Sequence, residues 1–156
     1  MDKIVMAIAT GLYTGYSPRC PGTYGTLVAL PLHLLLLRLP ENFYFGSLAI
    51  ILLLAIVTAG MAEKIVDLSD PGIVVIDEII GMLIALIGAP LTPQAFALAF
   101  LLFRFFDIVK PFPVGWLDSH LHGGTGIVLD DVMAGLYTLG CMQLLYLWPA
   151  AQRLLS

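Results

Sequence analysis

Five carboxylates lie within, or at the ends of, segments that are otherwise apolar enough to cross a membrane. They are Asp77, Glu78, Asp107, Asp130 and Asp131. An ionised side chain at the centre of a bilayer costs about 2.5–3.5 kcal/mol on insertion scales, so such residues are rarely retained without a function. The same segments supply two cations, Arg104 and Lys110, so five acids against two bases leave three negative charges unbalanced. The pattern predicts a divalent cation as their partner.

The composition places the chain among integral membrane proteins. Of its 156 residues, 60% are hydrophobic and only 12% are charged, whereas a soluble domain has about 25% charged residues. The length predicts a single domain over residues 1–156. The net charge of −4 and the lack of a basic stretch exclude a nucleic-acid partner. Cys20 and Cys141 lie far apart and predict neither a disulfide framework nor a metal knuckle.

Four apolar segments approach or reach the length of a membrane span, which takes about 17–25 residues. They are Tyr44–Ala62, Ile73–Ala89, Pro93–Val109 and Ile127–Trp148. A fifth segment, Thr26–Leu39, is short and contains Pro31 and His33, so it either spans or forms a re-entrant segment. The stretches 1–25 and 110–126 are rich in Gly, Pro and Ser and are expected to be ordered interfacial loops. We therefore predict an all-α, polytopic membrane helix bundle of about five hydrophobic helices.

This topology would place the acids at a common depth. If Thr26–Leu39 counts as the first helix, the start of the third, the end of the fourth and the start of the fifth face the same side. Asp77, Asp107 and Asp130 then each lie about 5–7 Å of helix rise from that side. With an inside N-terminus, the inside loops hold four basic residues and the outside segments two. The positive-inside rule then favours a cytoplasmic site.

The two adjacent acid pairs are followed, one helical turn later, by small residues. Gly81 and Gly135 lie on the same helix faces as Asp77 and Asp131, and glycine lets a neighbouring helix approach closely. Hard oxygen ligands favour Mg²⁺, Mn²⁺ or Ca²⁺ over softer metals. The predicted metal ligands are Asp77, Glu78, Asp107, Asp130 and Asp131. The alternative is a proton relay, or protonated acids that hydrogen-bond to one another.

Arg104, Asp107 and Lys110 follow one another at intervals of three residues and so line one stripe of a helix. They either form an internal ion-pair ladder, or the two cations hold a phosphate while Asp107 holds the metal. Both interpretations can hold at once, with some of these three residues forming ion pairs and others binding phosphate or metal.

Two glycine-rich stretches, Ser17–Thr26 and His122–Gly126, lead into predicted helices. Their backbone N–H groups could bind an anion. The predicted substrate contacts in them are Thr23, Gly25, Thr26, Gly123 and Gly124, together with Arg104 and Lys110. His122 is a candidate proton donor to a leaving group. Pro/Gly turns are more often only turns, and histidines in interfacial loops are usually solvated.

Several phosphatase chemistries lack their signature in this chain. No cysteine is followed after five residues by arginine, no Asp-x-Asp pair follows a strand, and no Ser-His-Asp grouping is evident. Among phosphatase mechanisms, this leaves a metal that is held by carboxylates and activates water.

Four blocks of the sequence carry a resemblance to a known family. They are Ser17–Thr26, Asp77–Gly81, Phe103–Pro113 and His122–Gly135. In these blocks, and in their order, the chain resembles phosphatidylglycerophosphatase A, a family of small bacterial membrane lipid phosphatases. It departs from the common family pattern at Thr26, Ile76 and Val128, which leaves the polar groups intact. Residues 27–72 and the C-terminal tail match poorly.

The resemblance implies a Mg²⁺-dependent enzyme that converts phosphatidylglycerophosphate to phosphatidylglycerol and inorganic phosphate in the bacterial cytoplasmic membrane. The implied catalytic residues are Asp77, Asp107, Lys110, His122 and Asp131. A phosphate monoester brings about two negative charges, so it needs a metal beside three unbalanced carboxylates. The sequence does not choose between one and two Mg²⁺ ions. We expect metal-activated water to be the nucleophile, with a carboxylate nucleophile as the alternative.

Three other functions are compatible with intramembrane acids. A small cation or proton transporter would use them as a relay, but it leaves the interfacial glycine loops and the Lys110–Pro113 stretch without a role. A non-catalytic scaffold would retain buried acids without benefit. A transferase acting on nucleotide-activated lipids would need a longer Asp-rich pattern that this sequence lacks.

Overall fold

The computed structural model describes residues 2–149 and 151–152, with the side chains of residues 117 and 118 outside the description. Within these residues the secondary structure is entirely helical, with seven α-helices and a single 3₁₀ turn at Thr14–Tyr16. The α-helices are α1 (Asp2–Ala9), α2 (Pro21–Leu36), α3 (Glu41–Val66), α4 (Ile76–Ala85), α5 (Pro93–Val109), α6 (Val114–His120) and α7 (Gly123–Tyr146).

Helix α5 has the bounds that the sequence predicts, because both of its ends carry local signals. The Thr92 side chain accepts a hydrogen bond from the Ala95 N–H at 3.2 Å, and Pro93 occupies the first helical turn. At the other end Lys110 adopts a left-handed conformation with φ of 45°. Pro111 follows and cannot continue the helix.

Two helices, α3 with 26 residues and α7 with 24, are long and apolar enough to cross a membrane. At 1.5 Å per residue they are about 39 Å and 36 Å long, compared with a hydrocarbon core of about 30 Å. Helices α2 and α5 have 16 and 17 residues and are correspondingly shorter. The predicted segment Thr26–Leu39 overlaps α2 over residues 26–36, with Pro31 inside the helix, and its last three residues lie beyond the helix end.

The prediction of a spanning helix over Ile73–Ala89 is wrong. Only Ile76–Ala85 is α-helical, which is about 15 Å of rise and half of a hydrocarbon core. The backbone N–H of Val75 donates to the Ala9 carbonyl at 2.9 Å, so the residues before α4 are held by the N-terminal segment. Gly88 adopts a φ of +70° shortly after the helix ends.

The two predicted loops also contain more helix than expected. Residues 1–25 include α1, the 3₁₀ turn and the start of α2, and residues 110–126 include α6 and the start of α7. The first region is packed tightly, since a Cβ on Gly15 would overlap the Ile73 carbonyl. The two predicted loops are therefore largely helical.

Helix α4 lies at the centre of the bundle and packs against α7, α2 and α3. Eight of its ten residues are buried, including the carboxylate of Asp77. It is a short central helix surrounded by longer ones. Its first turn therefore lies among the ends of α2, α5 and α7, where the polar residues collect.

Candidate active site

Three carboxylates meet at the start of α4. Asp77 and Glu78 lie in the first turn of α4, and Asp131 lies at the start of the third turn of α7. One oxygen from each lies within 4.8 Å of the others. Asp77 and Asp131 are only 6% and 5% exposed. The convergence that the sequence predicts is therefore present for these three side chains.

Two glycines allow this approach. A Cβ on Gly81 would lie 2.6 Å from the Asp131 carbonyl oxygen, and one on Gly135 would overlap the Gly81 carbonyl. No side chain fits at either position without moving the helices apart. The backbones of α4 and α7 thus touch one helical turn beyond the acids, as the sequence predicts, and hold the acids together.

The two cations of the site have partners outside this group, and Arg104 also reaches Glu78 within it. Arg104 Nη1 lies 2.5 Å from Asp107 Oδ2 and 3.9 Å from Glu78 Oε1. Lys110 Nζ donates to Asp130 Oδ2 at 2.7 Å. Five carboxylates minus two cations leave a charge of −3, and these pairs locate that excess on Asp77, Glu78 and Asp131.

The excess charge and the free oxygens suit a metal ion. Among the described residues, none donates a hydrogen bond to Glu78 Oε2 or Asp131 Oδ1, although both atoms are buried. Buried, unpaired carboxylate oxygens are costly unless a cation compensates them. Opposite ligands of one Mg²⁺ lie about 4.2 Å apart, twice the 2.1 Å bond length. All three oxygens lie within 4.8 Å of one another, so small movements of the side chains would bring them to the distances between ligands of one ion.

Asp107 and Asp130 lie beside this group of three carboxylates. The Asp107 carboxyl lies within hydrogen-bonding reach of Asp131 while it pairs with Arg104. Asp130 accepts the Lys110 ammonium and, through Oδ1, the backbone N–H of Asp131 at 3.0 Å. Both remain predicted metal ligands, but each already has a partner in this structure.

Gly22, at the start of α2, closes the site from the other side. A Cβ at this position would overlap Glu78 Oε1 and would lie 3.1 Å from Arg104 Nη1. In the sequence, Gly22 belongs to the glycine-rich stretch that precedes the first hydrophobic helix. That stretch indicated an anion-binding turn, whereas the structure places the glycine against a carboxylate and a guanidinium.

The other predicted contacts on α2 are used for packing. The Thr26 hydroxyl donates to the Gly22 carbonyl at 2.8 Å and is fully buried. A Cβ on Gly25 would lie 2.6 Å from Val75 Cβ, so Gly25 seats α2 on the residue before α4. Thr23 is half-buried in the first turn of α2. Their contact with substrate stays a prediction.

The second glycine stretch faces a different neighbour. A Cβ on Gly124 would overlap the Ile56 carbonyl and lie 2.7 Å from the Gly60 nitrogen, so Gly124 joins α7 to α3. Gly123 has a φ of +70° at the helix start, where a side chain would be strained. The structure thus gives both glycines a structural role, and their contact with substrate is untested.

His122 is exposed and lines a polar cavity of about 160 Å³ together with Glu63, Asp70 and Gly123. About 13 Å of helix rise separate His122 from Asp131. Sequence reasoning missed Glu63 and Asp70, because nothing in their spacing connects them to a histidine sixty residues away. A role for His122 in proton transfer stays a prediction.

This chain is similar to known bacterial proteins. The phosphatidylglycerophosphatase A family matches residues 7–146. A protein of Escherichia coli named phosphatidylglycerophosphatase A is 35% identical over 144 residues, 91% of this chain and 84% of its own. One of the same name from Haemophilus influenzae is 37% identical over 134 residues, with 85% and 82% covered.

A third relative has a different name. A protein of Bacteroides thetaiotaomicron, provisionally named a phosphatidylinositol-3-phosphatase, is 36% identical over 138 residues, 84% of this chain and 86% of its own. No solved structure matches the chain. The family match extends over every helix that contributes to the carboxylate site, from α2 to α7. The chain therefore belongs to the phosphatidylglycerophosphatase A family, whose named members are lipid phosphatases.

Proposed function

We propose that this protein is a Mg²⁺-dependent phosphatidylglycerophosphatase, which releases inorganic phosphate from phosphatidylglycerophosphate and leaves phosphatidylglycerol. Family membership and the names of two relatives support the reaction. The single observation that carries the metal dependence is the group of Asp77, Glu78 and Asp131, with oxygens within 4.8 Å and a net charge of −3. A substrate phosphate with about two negative charges would be repelled there without a cation.

Asp77, Glu78 and Asp131 would hold the metal, with Asp107 and Asp130 as further candidate ligands. Bound Mg²⁺ supplies charge stabilisation to the phosphoryl oxygens and favours ionisation of a nucleophile. The protein contributes a fixed arrangement, because the Gly81–Gly135 contact holds the ligands on two helices in register. With one Mg²⁺ the five acids and two cations of the site would sum to −1, and with two Mg²⁺ ions they would sum to +1, which favours an anionic substrate.

Arg104 is the residue best placed to contact the phosphoryl group. Its guanidinium lies between Asp107 and Glu78 and beside Gly22. An arginine fork has five N–H donors, so Arg104 can keep its carboxylate and still donate to phosphoryl oxygens. Lys110 has a different position, since its ammonium is bound to Asp130. We infer that Lys110 mainly orients Asp130 and reduces the local negative charge.

A location in the bacterial cytoplasmic membrane, with several helices inserted, is part of the proposal. Large apolar side chains on α3, such as Leu53 and Ile50, are at least 60% exposed, as a lipid-facing surface requires. Exposed aromatic residues cluster at both ends of the bundle, as expected at membrane interfaces. They are Tyr13, Tyr16, Tyr24, Phe112 and Trp116 near the carboxylates, and Phe43, Phe45 and Trp148 at the opposite end.

Phosphate release by the purified protein in mixed micelles tests the proposal. We expect release from phosphatidylglycerophosphate with Mg²⁺, none with a chelator, and slower release from phosphatidylinositol 3-phosphate. Asp77→Asn and Asp131→Asn should each lower turnover by about 10²-fold or more, as removal of a charge-stabilising group at a reacting centre does. Asp67→Asn, an exposed acid at the end of α3, is the matched control and should retain full activity.

The transport alternative gives opposite results in the same preparation. A transporter would move cations or protons across proteoliposomes and release no phosphate from the lipid. Full activity of Asp77→Asn or Asp131→Asn would contradict the assignment of that residue as a metal ligand. Undiminished phosphate release in chelator would contradict the metal dependence.

A further inference from the structure

An apolar groove runs between α2 and α5 on the outside of the bundle. It has a volume of about 560 Å³, within the range of about 300–1,000 Å³ that ligand pockets occupy. Its walls include Leu27, Leu30 and Leu34 from α2, and Phe96, Ala97 and Phe100 from α5. Leu27 and Leu34 are more than 40% exposed, so the groove lacks a covering element among the described residues.

The groove leads directly to the carboxylate site. On α5, Phe100 lies one helical turn before Arg104, on the same face. On α2, Leu27 lies one turn after Thr23, next to the Gly22 that touches Glu78 and Arg104. About 6 Å of helix rise therefore separates the apolar walls from the charged residues. A molecule with a charged head and an apolar tail fits this succession of surfaces.

We propose that one acyl chain of the lipid substrate lies in the α2–α5 groove while its terminal phosphate occupies the carboxylate site. This inference rests on the proposed function. A bilayer is as apolar as the groove, so moving a chain between them changes the free energy little. The groove therefore contributes little to affinity. Its effect is to orient the head group, so that the reacting atoms are correctly positioned.

A second apolar groove on the other side of α2 is less suitable. Its walls include Ile8, Leu12, Val28 and Leu32, and its volume is about 410 Å³. The close contact between Gly25 and Val75 lies between this groove and the acids, and it seals α2 against the start of α4. Ile76 and Ile79 of α4 also line this groove. The α2–α5 groove is the better candidate, because Phe100 lies one turn from Arg104 on α5 and Gly22 of α2 lies beside both Glu78 and Arg104.

Photo-crosslinking tests the placement independently of turnover. The probe is phosphatidylglycerophosphate with a diazirine on one acyl chain, incorporated into vesicles with the purified protein and Mg²⁺. We expect several-fold more labelling of Leu27, Leu30 and Phe100 than of Leu53, which faces outward on α3. A phosphatidylcholine probe with the same chain should label both surfaces equally. The same distribution for both probes would overturn the inference.

An activity measurement provides a second test. Ala97→Trp fills the groove from α5, and we expect it to lower phosphate release by about 10- to 100-fold through misplacement of the head group. Leu30→Trp, which fills the groove from α2, should have the same effect. It provides an independent test if Ala97→Trp fails to fold. Ala49→Trp, an exposed alanine on α3, is the control and should be unaffected.

The two tests separate the inference from the function on which it rests. Wild-type protein that releases no phosphate would contradict the proposed function, whatever the labelling shows. Active wild-type protein with fully active Ala97→Trp and Leu30→Trp variants would contradict the groove and leave the function intact.

Discussion

At Gly22 the absence of a side chain has a chemical consequence, because a Cβ there would overlap Glu78 Oε1. We expect Gly22→Ala to displace the Glu78 carboxylate and to weaken Mg²⁺ binding and turnover. Only the far end of a flexible side chain has to move, so the protein should remain folded. Gly46→Ala is the control, since its Cβ would meet no atom within 4 Å. The Mg²⁺ concentration for half-maximal phosphate release should rise only for Gly22→Ala.

The Lys110–Asp130 pair allows a double-mutant cycle. Removal of Lys110 in a Lys110→Met variant leaves the buried Asp130 carboxylate without its closest partner, which costs about 1–3 kcal/mol. The Lys110→Met/Asp130→Asn double variant should recover much of that loss, because the carboxylate charge that faced the ammonium is removed as well. Unfolding in detergent measures both values. If the effects of the two single substitutions simply add, the pair does not contribute as a unit.

At the residue scale the sequence indicated which side chains matter but not which of them pair. The acids, Arg104 and Lys110 were identifiable, because ionised groups in apolar segments need a function. The choice between an ion-pair ladder and separate roles depended on how α5 is rotated against α7. Arg104 pairs along its own helix with Asp107, whereas Lys110 reaches Asp130 on α7. The rotation of α5 relative to α7 cannot be deduced from residue spacing or from composition.

At the element scale the contact between α4 and α7 sets the geometry of the acids. A Gly135→Ala substitution would place a methyl group against the Gly81 carbonyl and force the helices apart. We expect a loss of about 1–3 kcal/mol, as for other overpacked sites, together with reduced turnover. Gly140→Ala on the same helix meets no atom within 4 Å and should be neutral or stabilising by up to about 1 kcal/mol. Equal stability and activity of the two variants would contradict this role of the contact.

Helix bounds were predictable where the chain carries its own start and stop signals. Thr92, Pro93 and Pro111 define α5, and its observed bounds are the predicted ones. Around α4 the apolar pattern continues past both ends of the helix, so hydrophobicity alone predicted seventeen residues where ten are helical. The hydrogen bond from Val75 to Ala9, which holds the chain before α4, joins residues far apart in sequence. Such contacts are fixed by tertiary packing.

For the molecule as a whole, a metal shared by α4 and α7 should couple ligand binding to stability. A ligand that binds only the folded state stabilises it by about 2.7 kcal/mol at 100 times its Kd. We expect Mg²⁺ to raise the unfolding temperature of the wild type in detergent, and to have little effect on Asp131→Asn. The Asp67→Asn control should respond like the wild type. An equal response of all three proteins would mean that Mg²⁺ acts elsewhere.

The proposed orientation in the membrane makes the two ends of the bundle chemically distinguishable. Cys20 is exposed at the carboxylate end, two residues before Gly22, and Asn42 is exposed at the opposite end, at the start of α3. In a Cys141→Ser background, a membrane-impermeant thiol reagent should label Cys20 in inside-out vesicles but not in intact spheroplasts. With Cys20→Ser and Asn42→Cys the pattern should reverse, because the two positions then face opposite compartments. Labelling of Cys20 from outside intact cells would invert the orientation, and labelling of both positions from one side would mean that α2, which lies between them, does not cross the bilayer.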